Sequence, residues 1–260
     1  DIRADALIIY DKNGELVDRE VHESDLNADA TGKNGYRHYM LKEIYEQPSC
    51  LLDVFEGRVH DGKLSDSAFS LDASNILDKI KYVQVIACGT SFHAGLVAKY
   101  WLEDLVGIPC RVEVASEFRY RNPVLMPDTL VVTISQSGET ADTLAALRSV
   151  KDRVKSTLAI CNVPESSMVR ECEWSLMTRA GPEIGVAPTK AFTSQLLALM
   201  LLVSALGKTR GMKDEQVAEL MHESLAVPAL IEKILSDCTA IEKWADAFTD
   251  LSNTIFLGRG

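Results

Sequence analysis

One stretch decides how this chain folds: Leu130-Val131-Val132-Thr133-Ile134-Ser135-Gln136-Ser137-Gly138-Glu139-Thr140. Its apolar half predicts a buried strand, and residues 141–151, apolar at every third position, predict a helix after it. Unpaired N–H groups and the helix dipole make the turn between them attractive to an anion. Its hydroxyls add donors without charge, so we predict a phosphate-binding loop of Ser135, Gln136, Ser137 and Thr140. The alternative is that the hydroxyls only cap the helix.

The sequence on both sides of this stretch alternates between apolar runs and helical spacing. Strands are predicted at residues 82–87, 111–115, 130–134, 157–161 and 174–177. Helices or helical turns are predicted at residues 91–106, 116–120, 141–151, 166–170 and 189–206. Apolar strands that alternate with helices predict a parallel sheet covered on both faces, which is a doubly wound, Rossmann-like α/β fold.

The first 35 residues have a different pattern. Residues 6–10 and 15–21 predict a β-hairpin with an Asn13-Gly14 turn, and residues 25–35 predict a linker. Two strands alone are only marginally stable, so we interpret the hairpin as the tail of another domain. Because the chain begins with Asp1, we expect it to be a processed or excised piece of a longer protein.

Helical lead-in and trailing segments flank the α/β region. Helical spacing covers residues 36–55, where Pro48 is expected to divide the helix, and residues 59–73 are polar and irregular. After the α/β region, residues 213–248 predict helices separated near Pro228 and Asp237. A last apolar strand is predicted at residues 254–257, and the apolar stretch 191–206 is too short to span a bilayer comfortably.

Composition narrows the class of protein. A net charge of −11 argues against broad binding to nucleic acid or to an anionic membrane, both of which need a basic surface. None of the six cysteines forms a C-x-x-C pair, and no histidine stands at metal-ligand spacing from one. We therefore predict a cytoplasmic protein with reduced, packed thiols, without disulfides, metal or cofactor.

Three loops that leave strand ends carry polar residues suited to one small phosphorylated ligand. They are Cys88-Gly89-Thr90-Ser91, residues 135–140, and Gly185-Val186-Ala187-Pro188-Thr189-Lys190. In open parallel sheets a ligand binds at the carboxyl ends of the strands, near the switch in strand order. The residues alone thus indicate an α/β domain that binds a small phosphorylated polyol.

Four other residues near these loops have alternative interpretations. Cys88 is a candidate nucleophile or a packed thiol, and His93 faces the ligand or belongs to the surface. Glu139 is interpreted as a partner of its own helix dipole rather than a general base. Lys190 either neutralises a phosphate or lies on the helix surface.

Five blocks of the sequence resemble the glutamine–fructose-6-phosphate aminotransferase (isomerizing) family, also called glucosamine-6-phosphate synthases. They begin with Cys88-Gly89-Thr90-Ser91, Ala115-Ser116-Glu117-Phe118, Ser135-Gln136-Ser137-Gly138, Ile160-Cys161-Asn162-Val163 and Glu183-Ile184-Gly185-Val186. Residues 36–48 resemble the segment that leads into the family's sugar isomerase (SIS) half. The resemblance covers nearly the whole chain and departs at Pro188, where relatives often carry serine.

The resemblance implies a domain organisation. Residues 1–27 would end a glutaminase domain, and residues 28–73 would form the linker and lead-in helices. Residues 74–208 would form the first SIS subdomain, and residues 209–260 a helical connector with the first strand of a second one. The family's SIS halves dimerise, so a homodimer is expected.

The resemblance also implies a function. Ser135, Gln136, Ser137 and Thr140 would hold the phosphate of fructose 6-phosphate, and Thr90, Ser91, Val186 and Ala187 would contact the sugar. The product would be glucosamine 6-phosphate. The family's catalytic cysteine, lysine, glutamate and histidine would all lie outside these residues, so we expect the chain alone to bind weakly and to be inactive.

Two rival functions belong to other classes. A non-catalytic SIS module that senses phosphosugars would be favoured by an attached DNA-binding domain, whereas the N-terminal hairpin favours a glutaminase neighbour. A nucleotide-binding Rossmann domain is disfavoured because no complete glycine fingerprint follows residues 82–87. P-loop hydrolysis is disfavoured as well, because the sequence contains no G-x-x-x-x-G-K-S/T motif.

Overall fold

The computed structural model describes residues 1–20, 32–65, 68–69 and 73–255. The chain divides into a small unit, Asp1–Gly32, and a large unit, Lys33–Gly260. In the small unit, strands β1 (Ile9–Tyr10) and β2 (Leu16–Val17) pair antiparallel. The Asp11 carboxylate accepts the N–H groups of Asn13 and Glu15 and thereby closes the turn. The predicted hairpin is confirmed, with strands shorter than expected, while most of the predicted linker lies outside the described residues.

The lead-in helix α1 (Tyr39–Phe55) is continuous, so the prediction that Pro48 divides it is wrong. Proline has no N–H to give to the carbonyl four residues earlier, which here belongs to Ile44. The Gln47 side chain donates to that Ile44 carbonyl at 3.0 Å. A neighbouring amide therefore replaces the hydrogen bond that Pro48 cannot make, and the helix continues.

Residues 59–64 form a second hairpin, although the sequence was interpreted as irregular there. Strands β3 (Val59–His60) and β4 (Lys63–Leu64) pair antiparallel around Asp61 and Gly62, whose φ angles are +49° and +71°. Positive φ at both turn residues matches an Asp-Gly turn between two-residue strand ends. The short helix α2 (Ala73–Leu77) then leads to the main sheet.

The main sheet has five parallel strands, as predicted from the apolar runs. They are β5 (Tyr82–Ala87), β6 (Cys110–Val114), β7 (Thr129–Ser135), β8 (Ser156–Cys161) and β9 (Trp174–Met177). Their spatial order is β6-β5-β7-β8-β9, and every neighbouring pair is parallel. This order confirms the doubly wound fold and sets the switch point between β5 and β7.

Helices cover both faces of the sheet. They are α3 (Gly89–Trp101), α4 (Ala115–Phe118), α5 (Ala141–Val150), α6 (Ser167–Glu171) and α7 (Lys190–Thr209). On one face α3 and α7 pack on alternate strand residues such as Val85, Val132 and Ile160. On the other face α4 and α5 pack on the intervening residues, such as Ile86 and Val131. This alternation is the period-two pattern of strands buried on both sides.

Helix α7 is the central helix of the larger core. By length and composition it could cross a membrane, but 78% of its apolar window is buried inside the protein. It packs along α3 and α1, and its side chains contact apolar residues of the sheet. Its apolar composition is therefore accounted for by packing within the α/β unit.

Two trailing helices follow, α8 (Asp214–Leu235) and α9 (Thr239–Ala247). The predicted break near Asp237 is confirmed, but α8 continues through Pro228, so the predicted separation there is wrong. Helix α8 packs along α1, and this tertiary packing holds the helix in place through Pro228. Thr254 and Ile255 lie in no strand, and the rest of the predicted last strand lies outside the described residues.

Candidate functional site

The switch point lies between β5 and β7, and each strand leads directly into a helix. Thr90 and Ser91 begin α3 after β5, and residues 136–140 connect β7 to α5. Because β5 and β7 are hydrogen-bonded neighbours and α3 and α5 lie on opposite faces, the two loops flank one crevice. The structure therefore brings two of the three predicted loops together at the place where doubly wound sheets bind ligands.

The loop after β7 is organised by its own hydroxyl groups. The Ser135 hydroxyl accepts the Gly138 N–H at 3.0 Å and lies 3.0 Å from the Thr140 hydroxyl. The Ser137 hydroxyl accepts the Glu139 N–H at 3.2 Å. The Ser137 hydroxyl proton and one of the two protons of the Ser135–Thr140 pair then remain to be directed at a ligand. Ser135 is buried, whereas Gln136, Ser137 and Thr140 are half-buried.

The structure does not support the alternative in which these hydroxyls only cap α5. Thr140 occupies the N-cap position with extended backbone angles, but its side chain makes no capping hydrogen bond. Its hydroxyl instead pairs with that of Ser135. The first turn of α5 therefore faces the loop without a side-chain cap, which is the arrangement of a helix end that receives an anion.

Gly138 fixes the position of the loop against β8 and α6. Its φ angle is +69°, a left-handed conformation that favours glycine. A methyl group at Gly138 would overlap the Ser166 hydroxyl and would lie 2.7 Å from Cys161 Sγ. The Gly138 carbonyl also accepts the Met168 N–H at 3.1 Å, and the Asn162 N–H donates to the Gln136 carbonyl at 3.2 Å. Contacts with the end of β8 and with α6 thus hold the loop in place.

Glu139 has a different partner from the one predicted. Its carboxylate accepts the N–H of Ser167, the first residue of α6, at 2.7 Å. It therefore stabilises the N-terminus of the next helix rather than that of α5, which corrects the sequence-based interpretation. The Ser167 N–H, helped by the Ser167 hydroxyl, lowers the pKa of Glu139, and this makes the carboxylate a weaker base.

The loop after β5 is built on Gly89, whose φ angle is +56°. Ser91 is buried and Thr90 is half-buried, so both hydroxyls lie at the start of α3. Cys88 is half-buried at the N-cap position. His93 is exposed, with its ring edge-on to Phe92 at 5.4 Å between centroids.

The third loop joins β9 to α7, and the structure corrects the role of Lys190. The prediction that Lys190 lies on the helix surface is wrong, and its ammonium group is directed at a carboxylate. Lys190 is only 3% exposed, and its ammonium group lies 2.7 Å from the Glu46 carboxylate on α1. Val186 and Ala187 are exposed at the tip of this loop. Because α7 lies beside α3 on the same face of the sheet, the loop starts α7 at the edge where α3 also begins.

Sequence reasoning missed three polar side chains that shape the third loop: Glu43, Asn162 and Glu183. Asn162 immediately follows β8, and its side chain accepts the Ala180 N–H at 2.6 Å and donates to the Gly181 carbonyl at 2.7 Å. Its position after an apolar strand is the same signal that identified the other loops. Glu43 and Glu183 carry no such signal, because neither directly follows an apolar strand.

The chemistry available at this edge is suited to binding. The loops present hydroxyls, an amide and backbone N–H groups at two helix N-termini, all donors for an anion that carry no net charge. Within the described residues, no three histidine, cysteine, aspartate or glutamate side chains are placed to hold a metal ion. All six cysteines are free thiols.

Comparisons with known proteins identify the family and the fold. Residues 76–205 match the SIS domain family. A protein of Idiomarina loihiensis named glutamine–fructose-6-phosphate aminotransferase (isomerizing) is 52% identical over 261 residues, covering 100% of this chain and 43% of that protein. A Pseudomonas putida protein of the same name is 53% identical over 262 residues, again covering 43% of its length. The chain therefore spans less than half the length of these curated relatives.

A solved structure gives the same result. The C-terminal domain of glucosamine-fructose-6-phosphate aminotransferase from Francisella tularensis aligns with a TM-score of 0.84 and 46% identity. The alignment covers 88% of this chain and 65% of that one. The resemblance found in the sequence blocks is thus confirmed, both for relatives of that name and for the fold.

Proposed function

This chain belongs to the SIS domain family, and from that membership we propose that it binds a hexose 6-phosphate at the crevice between β5 and β7. The ligand is fructose 6-phosphate or glucosamine 6-phosphate. The parent activity is that of a glutamine–fructose-6-phosphate aminotransferase, in which glutamine supplies the nitrogen of glucosamine 6-phosphate. Similarity to relatives of that name along the whole chain supports this assignment.

One observation carries the proposal: the hydroxyl-rich loop after β7 enters α5 without a side-chain cap. In this proposal the phosphate lies at the N-terminus of α5 and receives hydrogen bonds from Ser135, Gln136, Ser137 and Thr140. Thr90 and Ser91, at the start of α3, and the backbone of Val186 and Ala187 contact the sugar.

The proposed contribution of this chain is binding rather than proton transfer. The described residues of the crevice are hydroxyls and amides, and the pKa of Glu139 is lowered by its bond to Ser167. We therefore expect the chain alone to bind the sugar phosphate without converting it. Turnover of fructose 6-phosphate by the purified chain would contradict this assignment.

The remaining parts of the proposal concern organisation. Residues 1–27 are the end of a glutaminase domain, residues 28–73 a lead-in, residues 74–208 the first SIS subdomain and residues 209–260 a connector to a second one. The protein acts in the cytoplasm as a homodimer, without nucleic acid or membrane as a partner. The net charge of −11 supports the last point, since such partners require a basic surface.

Titration calorimetry of Ser137→Ala and Thr140→Val tests the phosphate loop. Each variant removes one donor to a dianion, and a hydrogen bond to a charged group contributes about 1.5–3 kcal/mol. We therefore expect affinity for fructose 6-phosphate to fall about tenfold to a hundredfold. Ser149→Ala is the matched control, because Ser149 lies at the other end of α5 and its hydroxyl donates to the Ala146 carbonyl. Unchanged affinity in both loop variants would refute the phosphate role.

A further inference from the structure

The loop between β9 and α7 is anchored at its base while its tip is exposed. Glu43 on α1 accepts the N–H of Ile184 at 2.5 Å and that of Gly185 at 3.0 Å. The next residue, Val186, is fully exposed. A carboxylate from a distant helix thus fixes the backbone immediately before the tip that we propose to contact the sugar.

A second carboxylate closes the other side of the loop. Glu183 accepts the N–H of Thr189 at 2.8 Å and that of Ala191 at 3.3 Å, and so caps the start of α7. Together, Glu43 and Glu183 hold the two arms of the loop, and residues 186–188 bridge them. The conformation of this tip is therefore determined by contacts outside the tip itself.

Because Glu43 is buried, its carboxylate destabilises the fold unless hydrogen bonds or an ion pair replace its lost solvation. Glu43 is only 2% exposed. Next to it on α1, Glu46 binds the ammonium groups of Lys42 at 3.3 Å and Lys190 at 2.7 Å. Helix α1 therefore holds the loop through Glu43 and the first residue of α7 through Glu46.

The space around Gly185 shows how closely the carboxylate and the loop fit. A methyl group on Gly185 would overlap a Glu43 carboxylate oxygen and would lie 3.4 Å from the Met40 Cα atom. The loop can approach the carboxylate this closely because residue 185 has no side chain. Gly185→Ala consequently disturbs the hydrogen bond between residue 185 and Glu43 by changing the donor residue, whereas a substitution of Glu43 changes the acceptor.

We propose that Glu43 is a positioning residue that holds the Val186–Ala187 backbone in place for the sugar part of the ligand. The proposal rests on the proposed function. A backbone segment fixed before binding loses less conformational entropy when the ligand arrives, which increases affinity for the group it contacts. The phosphate loop is held by the backbone N–H groups of Asn162 and Met168, neither of which bonds to Glu43, so a substitution of Glu43 leaves these supports in place.

The test compares two probes, fructose 6-phosphate and inorganic phosphate, by titration calorimetry on the whole chain. Glu43→Gln keeps the size of the side chain, removes its charge, and replaces with an NH2 group the oxygen that accepts the Gly185 N–H at 3.1 Å. We expect its affinity for fructose 6-phosphate to fall about tenfold, roughly the loss of one hydrogen bond to a charged group. Its affinity for inorganic phosphate should remain within about twofold of the unsubstituted chain, because the hydrogen bonds of Glu43 go to Ile184 and Gly185 and not to residues 135–140.

Two further variants make the test decisive. Gly185→Ala should reproduce the selective loss, and it carries the test alone if Glu43→Gln does not fold. Glu56→Gln is the matched control, since Glu56 caps the end of α1 and pairs with Arg179 at 3.6 Å on the segment after β9. It should change neither affinity.

Each other outcome overturns a stated part of the argument. If Glu43→Gln and Gly185→Ala leave both affinities unchanged, or lower both equally, Glu43 does not position the sugar-contacting backbone. If the unsubstituted chain binds neither probe, the proposed function itself fails, and the role of Glu43 fails with it. Circular dichroism of each variant establishes that the folded chain is being measured.

Discussion

Gly138→Ala tests whether contacts with Ser166 and Cys161 hold the proposed phosphate loop, residues 135–140, in one position. The φ angle of Gly138 is +69°, and an alanine held in this left-handed conformation lowers the free energy of unfolding by about 1–2 kcal/mol. The new methyl group would also lie 2.5 Å from Ser166 Cβ and 2.7 Å from Cys161 Sγ, and overpacking of this kind costs about 1–3 kcal/mol. The sum predicts a loss of about 2–5 kcal/mol in the free energy of unfolding.

Gly107→Ala separates these two contributions. Gly107 has a φ angle of +71°, almost the same as Gly138, but no atom lies within 4 Å of where its Cβ would be. The free energy of unfolding of this variant should therefore fall only by the backbone contribution, about 1–2 kcal/mol. Urea titration followed by circular dichroism gives the free energy of unfolding of both variants, and calorimetry with inorganic phosphate measures the loop directly.

The difference between the two variants is the informative quantity. We expect Gly138→Ala to be more destabilised than Gly107→Ala by about 1–3 kcal/mol and to lose phosphate affinity, because the loop must move away from Ser166. Equal losses in the two variants, with phosphate affinity retained, would refute the argument that Ser166 and Cys161 hold the loop in a single position.

Two other predictions concern the Gln47 side chain and three cysteine thiols. Gln47→Ala should cost about 1 kcal/mol of unfolding free energy in the natural chain but almost nothing in a Pro48→Ala background, where residue 48 regains the N–H that binds the Ile44 carbonyl. Equal costs in the two backgrounds, measured by urea titration, would contradict this reading. Burial raises the pKa of Cys110 to about 12 and the pKa values of Cys50 and Cys172 to about 11. These three thiols should resist a maleimide at neutral pH in the folded chain and react after denaturation, as read by mass spectrometry.

The sheet could be predicted because each central strand is a short apolar run between polar loops. All five strands and the helices between them were located within a few residues, since burial on both faces makes the strands continuously apolar. The Asp61-Gly62 hairpin was missed even though its turn residues are a strong local signal. Its strands are only two residues long, so the alternation that would normally mark them is absent.

The predictions that Pro48 and Pro228 interrupt their helices were wrong, because the compensating contacts can be inferred only in part from the neighbouring residues. A proline interrupts a helix by removing one N–H, but a neighbouring side chain or strong tertiary packing can compensate for that loss. At Pro48 the compensation comes from Gln47, one residue away. At Pro228 the helix is held by its packing on α1, which pairs residues far apart in the sequence.

The candidate site shows the same division between local and distant information. The loop after β7 was recognisable because its hydroxyls act on their own backbone within six residues. Lys190 was misassigned because its partner, Glu46, is 144 residues away, and a lysine at a helix start usually faces solvent. Glu43 was missed for the same reason, since its contacts with Ile184 and Gly185 span more than 140 residues.

In the proposed function, an acidic protein binds an anion. A chain with a net charge of −11 repels a phosphate at long range, so attraction has to come from groups within hydrogen-bonding distance. Lys42 and Lys190 are buried, and both direct their ammonium groups at the Glu46 carboxylate. Neutral donors at the α5 N-terminus would then bind the phosphate, while the charges on α1 determine the shape of the loop that meets the sugar. In the proposed function, charge is thus used for positioning, and binding depends on hydroxyl and backbone N–H groups.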